Sequence, residues 1–141
     1  MQIFVSAAGE LSIYRQIMRQ ITEAIAGGRL KSGDRLPSHR DLAEQLVIAP
    51  LTVKKAYDEL EAEGFIETQR GRGTFVSAQL PEPDPDANRE HLKAAARNLL
   101  SQTYLAGLGM KEAIAALREA EQEMAQGRRV REAVSAKKEK P

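Results

Sequence analysis

Apolar residues recur at helical spacing twice between positions 38 and 62, and the pattern then becomes that of short strands. In the first stretch Leu42, Ala43 and Leu46 fall on one helical face. In the second stretch the apolar residues stand at i, i+3, i+4 and i+7, as Val53, Ala56, Tyr57 and Leu60. Positions 65–69 and 74–77 are rich in β-branched and aromatic residues, which favour strands. These patterns predict two helices followed by a β-hairpin.

The residues at the ends of these elements agree with that prediction. Ser38 can accept a hydrogen bond from the first turn of the first helix, and Asp41 completes an approximate capping box. Pro50 suits the first position of the second helix, and Gly64 suits its C-terminal cap. Two helices joined by a tight turn and followed by a hairpin are typical of a winged helix-turn-helix, which places its second helix in the major groove of DNA. We therefore predict a mainly α domain with a small β-hairpin wing.

A supporting helix is predicted ahead of this pair, ending at Gly27. Its apolar stripe holds Tyr14, Ile17, Met18, Ile21 and Ile25. Residues 1–10 should form an extended lead-in with three side chains able to pack on the domain, namely Ile3, Phe4 and Val5. Leu30 and Leu36 should fill the core, and the winged domain should span residues 1–78.

A linker is predicted at residues 79–85, because the sequence P-E-P-D-P favours a semi-rigid extended segment. Two amphipathic helices should follow within residues 86–127, with a break at Gly107 and Gly109. Their apolar stripes exceed what the small winged domain can cover, so we expect a second copy of the chain to bury them. The residues expected at this dimer interface are Leu92, Ala96, Leu99, Leu100, Ile114, Leu117 and Met124.

The last stretch, residues 128–141, is rich in Lys and Arg and lacks a helical apolar pattern. We expect a disordered basic tail there. Such a tail can serve solubility alone or add non-specific contacts to DNA.

Composition and charge narrow the class of protein. The net charge is zero over residues 1–80, −3 over 81–127 and +4 over 128–141, which gives the overall +1. The chain has no cysteine, so disulfides and thiolate metal sites are excluded. It shows neither a signal peptide nor an apolar run long enough to span a membrane, so we expect a cytoplasmic protein without membrane partners.

Charge within the second helix of the pair is polarised. Lys54 and Lys55 stand near its N-terminal end, whereas acidic residues crowd its C-terminal half. This polarity suits a helix that approaches phosphates with its N-terminus. In the hairpin, Arg70 and Arg72 alternate with glycines, and such a narrow basic tip suits a minor groove or its phosphates.

Three motifs in order resemble the GntR family of transcription regulators, over roughly residues 11–78. They are G-R-L-K-S-G-D-R-L-P-S-x-R-D-L-A at 28–43, T-V-K-K-A-Y-D-E-L-E-A-E-G at 52–64 and R-G-R-G-T-F-V at 70–76. The short C-terminal remainder and the I-x-P-x-T-V sequence at 48–53 resemble the YtrA subfamily. The chain departs from the family at Ala49, where a capping Ser, Thr or Asn is usual.

The resemblance within the matching motifs, together with the charge pattern, implies a set of DNA-contacting residues. They are Ser38, Arg40, Pro50, Leu51, Thr52, Lys54, Lys55, Arg70, Gly71 and Arg72. Arg40 is expected on phosphate, and Lys55 is the weaker of the two lysines. For Leu51, packing in the core and contact with a thymine methyl group both remain open.

These features predict a homodimeric, sequence-specific transcription regulator, most typically a repressor, that binds an inverted-repeat operator in double-stranded DNA. The resemblance implies control of its own operon and of a neighbouring operon that encodes a transporter. A small-molecule effector, where one exists, would bind between subunits. The alternative is a winged-helix adaptor whose second helix docks a partner protein. Steep salt dependence of duplex binding would distinguish the two, since counterion release accompanies phosphate contacts.

Enzymatic and metal functions find no support in the sequence. There is no nucleophile–base pair and no phosphate-binding loop, so we do not expect an enzyme. His39 and His91 have no third ligand in view, so neither a metal nor a cofactor is predicted.

Overall fold

Over residues 2–9 and 11–139, which the computed structural model describes, the chain forms five helices and one three-stranded sheet. For residues 127–139 the description covers the backbone only. In chain order the elements are α1 (Ile13–Ala26), β1 (Arg35–Leu36), α2 (His39–Leu46), α3 (Pro50–Ala62), β2 (Ile66–Gln69), β3 (Gly73–Val76), α4 (Pro85–Leu105) and α5 (Met110–Glu139).

The core of the winged domain lies between α1, α2, α3 and the sheet. Its largest fully buried side chains are Ile17, Ile21, Val53, Leu60, Ile66 and Val76. The predicted stripe of α3 is confirmed, because Val53, Ala56, Tyr57 and Leu60 are all buried. Leu30 and Leu36 are buried as well, which confirms their expected place in the core. Periodicity identified these residues because a helix that packs on one side must repeat its apolar positions every three to four residues.

The sheet is antiparallel, with the strand order β1-β3-β2. The predicted hairpin is confirmed, and its register pairs Ile66 with Val76 and Gln69 with Gly73. Strand β1 adds a third strand that the sequence patterns did not indicate, with Arg35 opposite Phe75. Two residues are too few to display an alternation of apolar and polar side chains.

The helix ends agree with the capping chemistry of the sequence. The Ser38 hydroxyl accepts a 3.1 Å hydrogen bond from the backbone N–H of Asp41, which confirms the predicted cap of α2. Pro50 is the first residue of α3, and the N-cap residue Ala49 supplies no side-chain hydrogen bond. Gly64 follows α3 with φ of +88°, a left-handed conformation that glycine adopts without the steric cost borne by other residues.

The N-terminal segment is held by glutamine side chains of α1 as well as by apolar packing. Gln20 exchanges two hydrogen bonds with the backbone of Phe4, and the buried Gln16 does the same with Ser6. Ile3 is buried as expected, but the Phe4 side chain is 74% exposed, so the expectation that Phe4 packs on the domain is wrong. The hydrogen bonds from Gln16 and Gln20 hold the backbone of this segment so that the side chains of Ile3 and Phe4 point in different directions.

Helix α4 begins one residue earlier than expected, so the predicted linker at 79–85 ends at Asp84. Pro85 is the first residue of the helix, and the Asp84 carboxylate accepts a 3.1 Å hydrogen bond from the Ala87 N–H. Proline is tolerated at a first helical position because its missing N–H has no partner there in any case. The prolines therefore lead into the helix instead of only spacing it from the winged domain.

Helix α5 continues beyond the predicted boundary at Gly127 and reaches Glu139. This corrects the expectation of a disordered tail over residues 128–139; residues 140 and 141 lie outside the described part. The stretch is rich in Arg, Glu, Ala and Lys, which are good helix formers, and a single interior glycine costs only about 1 kcal/mol. Absence of an apolar stripe indicates that a helix has no packed face, but it does not exclude the helix.

The two C-terminal helices pack on each other near their connection, where Thr103 and Ala113 are buried. The Thr103 hydroxyl donates a 2.7 Å hydrogen bond to the Leu99 carbonyl, so its polar atom is satisfied inside the contact. Farther along α5, the Met124 side chain comes within 3.8 Å of the place where a Cβ of Gly27 would lie. Most of the remaining apolar side chains of α4, and of α5 up to residue 126, are exposed in the single chain.

Candidate nucleic-acid interface

The outward face of α3 carries a regular series of exposed residues opposite its buried stripe. Leu51, Lys54, Lys55 and Asp58 follow the spacing i, i+3, i+4 and i+7, and all four are exposed. Leu51 is 77% exposed, so the alternative that it packs in the core is wrong, and its contact with a thymine methyl group stays a prediction. Pro50 is exposed beside it, and Thr52 is half-buried. The exposed face of the N-terminal part of α3 therefore begins with an apolar side chain, Leu51, followed by a cationic one, Lys54.

Lys54 is engaged within its own helix. Its ammonium nitrogen donates a 2.8 Å hydrogen bond to the Asp58 carboxylate one turn later, and both side chains remain more than half exposed. Exposed ion pairs at this spacing stabilise a helix by only about 0.3–0.5 kcal/mol. The lysine is therefore oriented by Asp58 without being tied to it strongly.

Lys55 faces a different neighbour, the aromatic ring of Tyr14 on α1. Its ammonium nitrogen lies 4.1 Å from the ring centroid, in the geometry of a cation–π contact. The Tyr14 hydroxyl also accepts a 3.2 Å hydrogen bond from Arg15 Nε, which raises the pKa of Arg15. Lys55 thus links α3 to α1, and no local sequence pattern indicated this contact because Lys55 and Tyr14 are far apart along the chain.

The wing presents Arg70 and Arg72 at an exposed turn. The turn closes with a 2.9 Å hydrogen bond from the Arg72 N–H to the Gln69 carbonyl. Gly71 and Gly73 have φ of +76° and +128°, so the backbone takes conformations that the alternating glycines allow. The glycines of the R-G-R-G sequence are therefore required by the shape of the tip.

Arg35, on β1, extends the basic surface at the base of the wing. A Cβ built on Gly73 would lie 3.1 Å from Arg35 Nε, so the guanidinium group rests directly against this glycine. An open concavity of about 280 Å³ joins the base of the wing to the start of α2, with Arg35, Ser38 and Gly73 in its lining. Sequence reasoning missed Arg35 because the strand that positions it was itself missed.

Helix α2 contributes Ser38 and Arg40, both exposed. The Ser38 hydroxyl is occupied as the cap, but it can still donate its own hydrogen to a ligand. Within the part of the chain that the structure describes, Arg40, Arg70 and Arg72 form no ion pair. Three arginines whose charge is not neutralised by a neighbouring carboxylate suit an anionic partner better than a structural role.

The described residues give little support for a metal site or a membrane-spanning helix. No group of three or more His, Asp or Glu side chains stands close enough to hold a metal ion, within residues 2–9 and 11–139 apart from the side chains of 127–139. Over the same described residues, none of the helices combines the length and the apolar character needed to cross a bilayer.

Comparison with known proteins agrees with this geometry. The family model "Bacterial regulatory proteins, gntR family" matches residues 13–76. The HTH-type transcriptional repressor YtrA of Bacillus subtilis is 40% identical over 100 residues, which cover 71% of this chain and 77% of that protein.

Two solved structures share the fold over most of the chain. YtrA from Sulfolobus acidocaldarius, a GntR-family transcription factor, is 39% identical with a TM-score of 0.55, and the alignment covers 70% of this chain and 97% of that one. A transcriptional antiterminator from Listeria monocytogenes EGD-e is 30% identical with a TM-score of 0.70, and that alignment covers 88% and 92%.

Fold, basic surface and comparisons define a transcription regulator with a winged helix-turn-helix DNA-binding domain. The chain belongs to the GntR family, and it is similar to the YtrA proteins within it. Both YtrA proteins are transcription regulators.

Proposed function

We propose that this chain is a homodimeric repressor that binds an inverted-repeat operator through α3, α2 and the wing. The observation that carries the proposal is the exposed series on α3, led by Leu51 and Lys54, together with arginines of α2 and the wing that form no ion pair with any carboxylate the structure describes. The proposed contacts are Ser38, Arg40, Pro50, Leu51, Thr52, Lys54, Lys55, Arg70, Gly71 and Arg72.

The residues have different roles in this proposal. Arg40, Ser38 and the wing backbone at Gly71 hold the phosphates and fix the register of the domain, because such contacts carry no sequence information. Thr52 and Lys54 read base edges in the major groove, and Leu51 meets a thymine methyl group. Arg70 and Arg72 enter the adjacent minor groove, whose negative potential is strongest over A·T-rich sequence.

The dimer is proposed from the apolar surface of the C-terminal helices. Leu92 and Leu117 are 71% and 57% exposed, and Ile114 is 41% exposed. Ala96 is exposed too, whereas Leu99 and Leu100 are half-buried, and all six belong to the proposed interface. Met124, which is 41% exposed, borders this surface where α5 approaches Gly27. A second copy would bury these side chains in one contact and set the spacing of two recognition helices.

Repression is proposed from similarity to the Bacillus subtilis repressor. Control of the protein's own operon and of a transporter operon is proposed from the resemblance to the YtrA subfamily at residues 48–53 and in the short C-terminal remainder. A small-molecule effector is proposed at the subunit interface, because the segment that follows the winged domain is short for enclosing a metabolite by itself. Both proposals concern regulation and depend on operator binding, which is therefore the first property to test.

Footprinting on the DNA upstream of the protein's own gene tests operator binding. We expect one protected region with two-fold related halves and an affinity that falls steeply as salt rises, because counterions are released from the phosphates. A shuffled duplex of equal length and composition is the control. Equal binding to both duplexes, or binding insensitive to salt, would contradict the proposal and favour a protein-docking adaptor.

A further inference from the structure

Asp58 is the one acidic residue in the exposed series on α3. It follows Leu51, Lys54 and Lys55 on the same face and is separated from the start of the helix by two turns. Of the other acidic residues of the helix, Glu61 is exposed one turn later and accepts a 3.1 Å hydrogen bond from the Thr68 N–H of β2, and Glu59 is half-buried. A carboxylate on the groove-facing side is unfavourable for DNA binding, because it meets the phosphates with like charge.

The hydrogen bond between Asp58 and Lys54 indicates a role for this carboxylate. Lys54 Nζ lies 2.8 Å from Asp58 Oδ2. An ammonium group has three donors, so Lys54 can keep this hydrogen bond and still donate to an acceptor on a base edge. The carboxylate also limits the directions that the flexible lysine can take, and it lies one turn beyond the lysine toward the C-terminal end of the helix.

We propose that Asp58 is a specificity-determining residue that acts through Lys54, an inference that rests on the proposed operator binding. With Asp58 present, the lysine ammonium is directed at base acceptors and contributes to binding only where the sequence offers one. On other sequences the charge of the lysine is offset by the Asp58 carboxylate beside it, and the pair as a whole is close to neutral. Asp58 therefore lowers affinity for random DNA and leaves affinity for the operator nearly intact.

The test compares Asp58→Asn with the wild type on two duplexes. One is the duplex that the wild-type protein selects from a random pool, and the other is a shuffled duplex of the same length and composition. We expect Asp58→Asn to bind the shuffled duplex roughly three- to tenfold more tightly, because the released lysine can reach a phosphate. Affinity for the selected duplex should change by less than about threefold, so the ratio of the two affinities falls.

Salt dependence supplies a readout that a purely structural role would leave unchanged. On the shuffled duplex the slope of log affinity against log salt should steepen by about one counterion in Asp58→Asn. Glu63→Gln is the matched control, since it removes the same charge from an exposed residue at the far end of α3. This control should leave both the affinity ratio and the salt slope as in the wild type.

The double variant Lys54→Ala with Asp58→Asn shows whether Asp58 acts through the lysine. In the Lys54→Ala background, Asp58→Asn should leave the affinity ratio unchanged. A fall of the ratio in that background would mean that Asp58 reads the DNA itself and would overturn the proposal, as would an equal gain on both duplexes in the single variant. If the wild type selects no duplex, the proposed operator binding fails first and this inference fails with it.

Discussion

The hydroxyl group of Tyr57 donates a 2.7 Å hydrogen bond to the backbone carbonyl of Pro37. Tyr57 lies on the buried stripe of α3, and Pro37 lies in the extended segment that leads into α2. The bond therefore joins the recognition helix to the chain immediately before the cap residue Ser38. It fixes the distance between two elements that both face the proposed DNA, and it satisfies the one polar atom of a buried side chain.

Replacing this hydroxyl should destabilise the winged domain. Tyr57→Phe leaves the Pro37 carbonyl without its partner, so we expect the free energy of unfolding to fall by roughly 1–2 kcal/mol. Urea denaturation followed by circular dichroism measures the change. Tyr104→Phe is the control, because Tyr104 is 58% exposed and its loss should cost little. Equal effects of the two substitutions would show that the buried bond contributes nothing.

The same tyrosine predicts a pH dependence of stability. Burial raises the pKa of the Tyr57 hydroxyl above its ordinary value of about 10. As pH rises past that ordinary value, the unfolded chain loses the proton while the folded chain keeps it, so the free energy of unfolding decreases. Tyr57→Phe should lack this part of the decrease. We expect the stability difference between wild type and variant to shrink between about pH 8 and pH 11, and a constant difference would contradict the assignment.

The two wing glycines should differ in their tolerance of a side chain. At Gly71 a Cβ would meet nothing within 4 Å, so Gly71→Ala bears only the backbone strain of a φ of +76°, about 1–2 kcal/mol. At Gly73 the φ of +128° is less accessible to alanine, and the Cβ would press on Arg35. Gly73→Ala should therefore lower the melting temperature more. Adding Arg35→Ala should recover part of that loss, and the absence of any recovery would show that the contact with Arg35 is unimportant.

Local signals made most of the winged domain predictable. The stripe ending at Leu60, the cap at Ser38 and the glycines of the wing are each encoded within a few residues, and the structure has them as expected. Strand β1 was missed because Arg35 and Leu36 are too short a segment to show a period.

Contacts between distant parts of the chain were not predictable in the same way. The Lys55–Tyr14 and Gln20–Phe4 contacts depend on how α1 is placed by the core, which no local pattern specifies. Within the proposed DNA-binding surface, the sequence therefore identified which residues are exposed but not which of them are oriented by a neighbour. The sequence ranked Lys55 below Lys54 as a DNA contact, but it did not indicate their neighbours, which are Asp58 for Lys54 and an aromatic ring for Lys55.

Dimerisation should fail when a charge is placed on the apolar face of α5. Leu117→Glu puts a carboxylate where the proposed interface excludes water, and burying a charge without a partner is strongly unfavourable. We expect analytical ultracentrifugation to show monomers, with circular dichroism of the winged domain preserved. Gln122→Glu adds the same charge at an exposed position of the same helix and should remain dimeric. Leu99→Glu on α4 provides a second test, and dimers of both leucine variants would contradict the proposed interface.

Arginine contacts to phosphate and to the minor groove should be separable by sequence and salt. Arg40→Ala should weaken the selected and the shuffled duplex by the same factor and reduce the salt slope by about one counterion, since a phosphate contact is independent of sequence. Arg70→Ala should weaken binding mainly where the flanks are A·T-rich, because a narrow minor groove concentrates negative potential on an inserted guanidinium group. Titrations at several salt concentrations, on duplexes with A·T-rich and G·C-rich flanks, measure both effects.

Arg118→Ala, which replaces an exposed arginine of α5, is the control and should bind every duplex as the wild type does. If Arg40→Ala lost affinity only for the selected duplex, Arg40 would read bases, and α2 would lie deeper in the groove than the proposed arrangement allows.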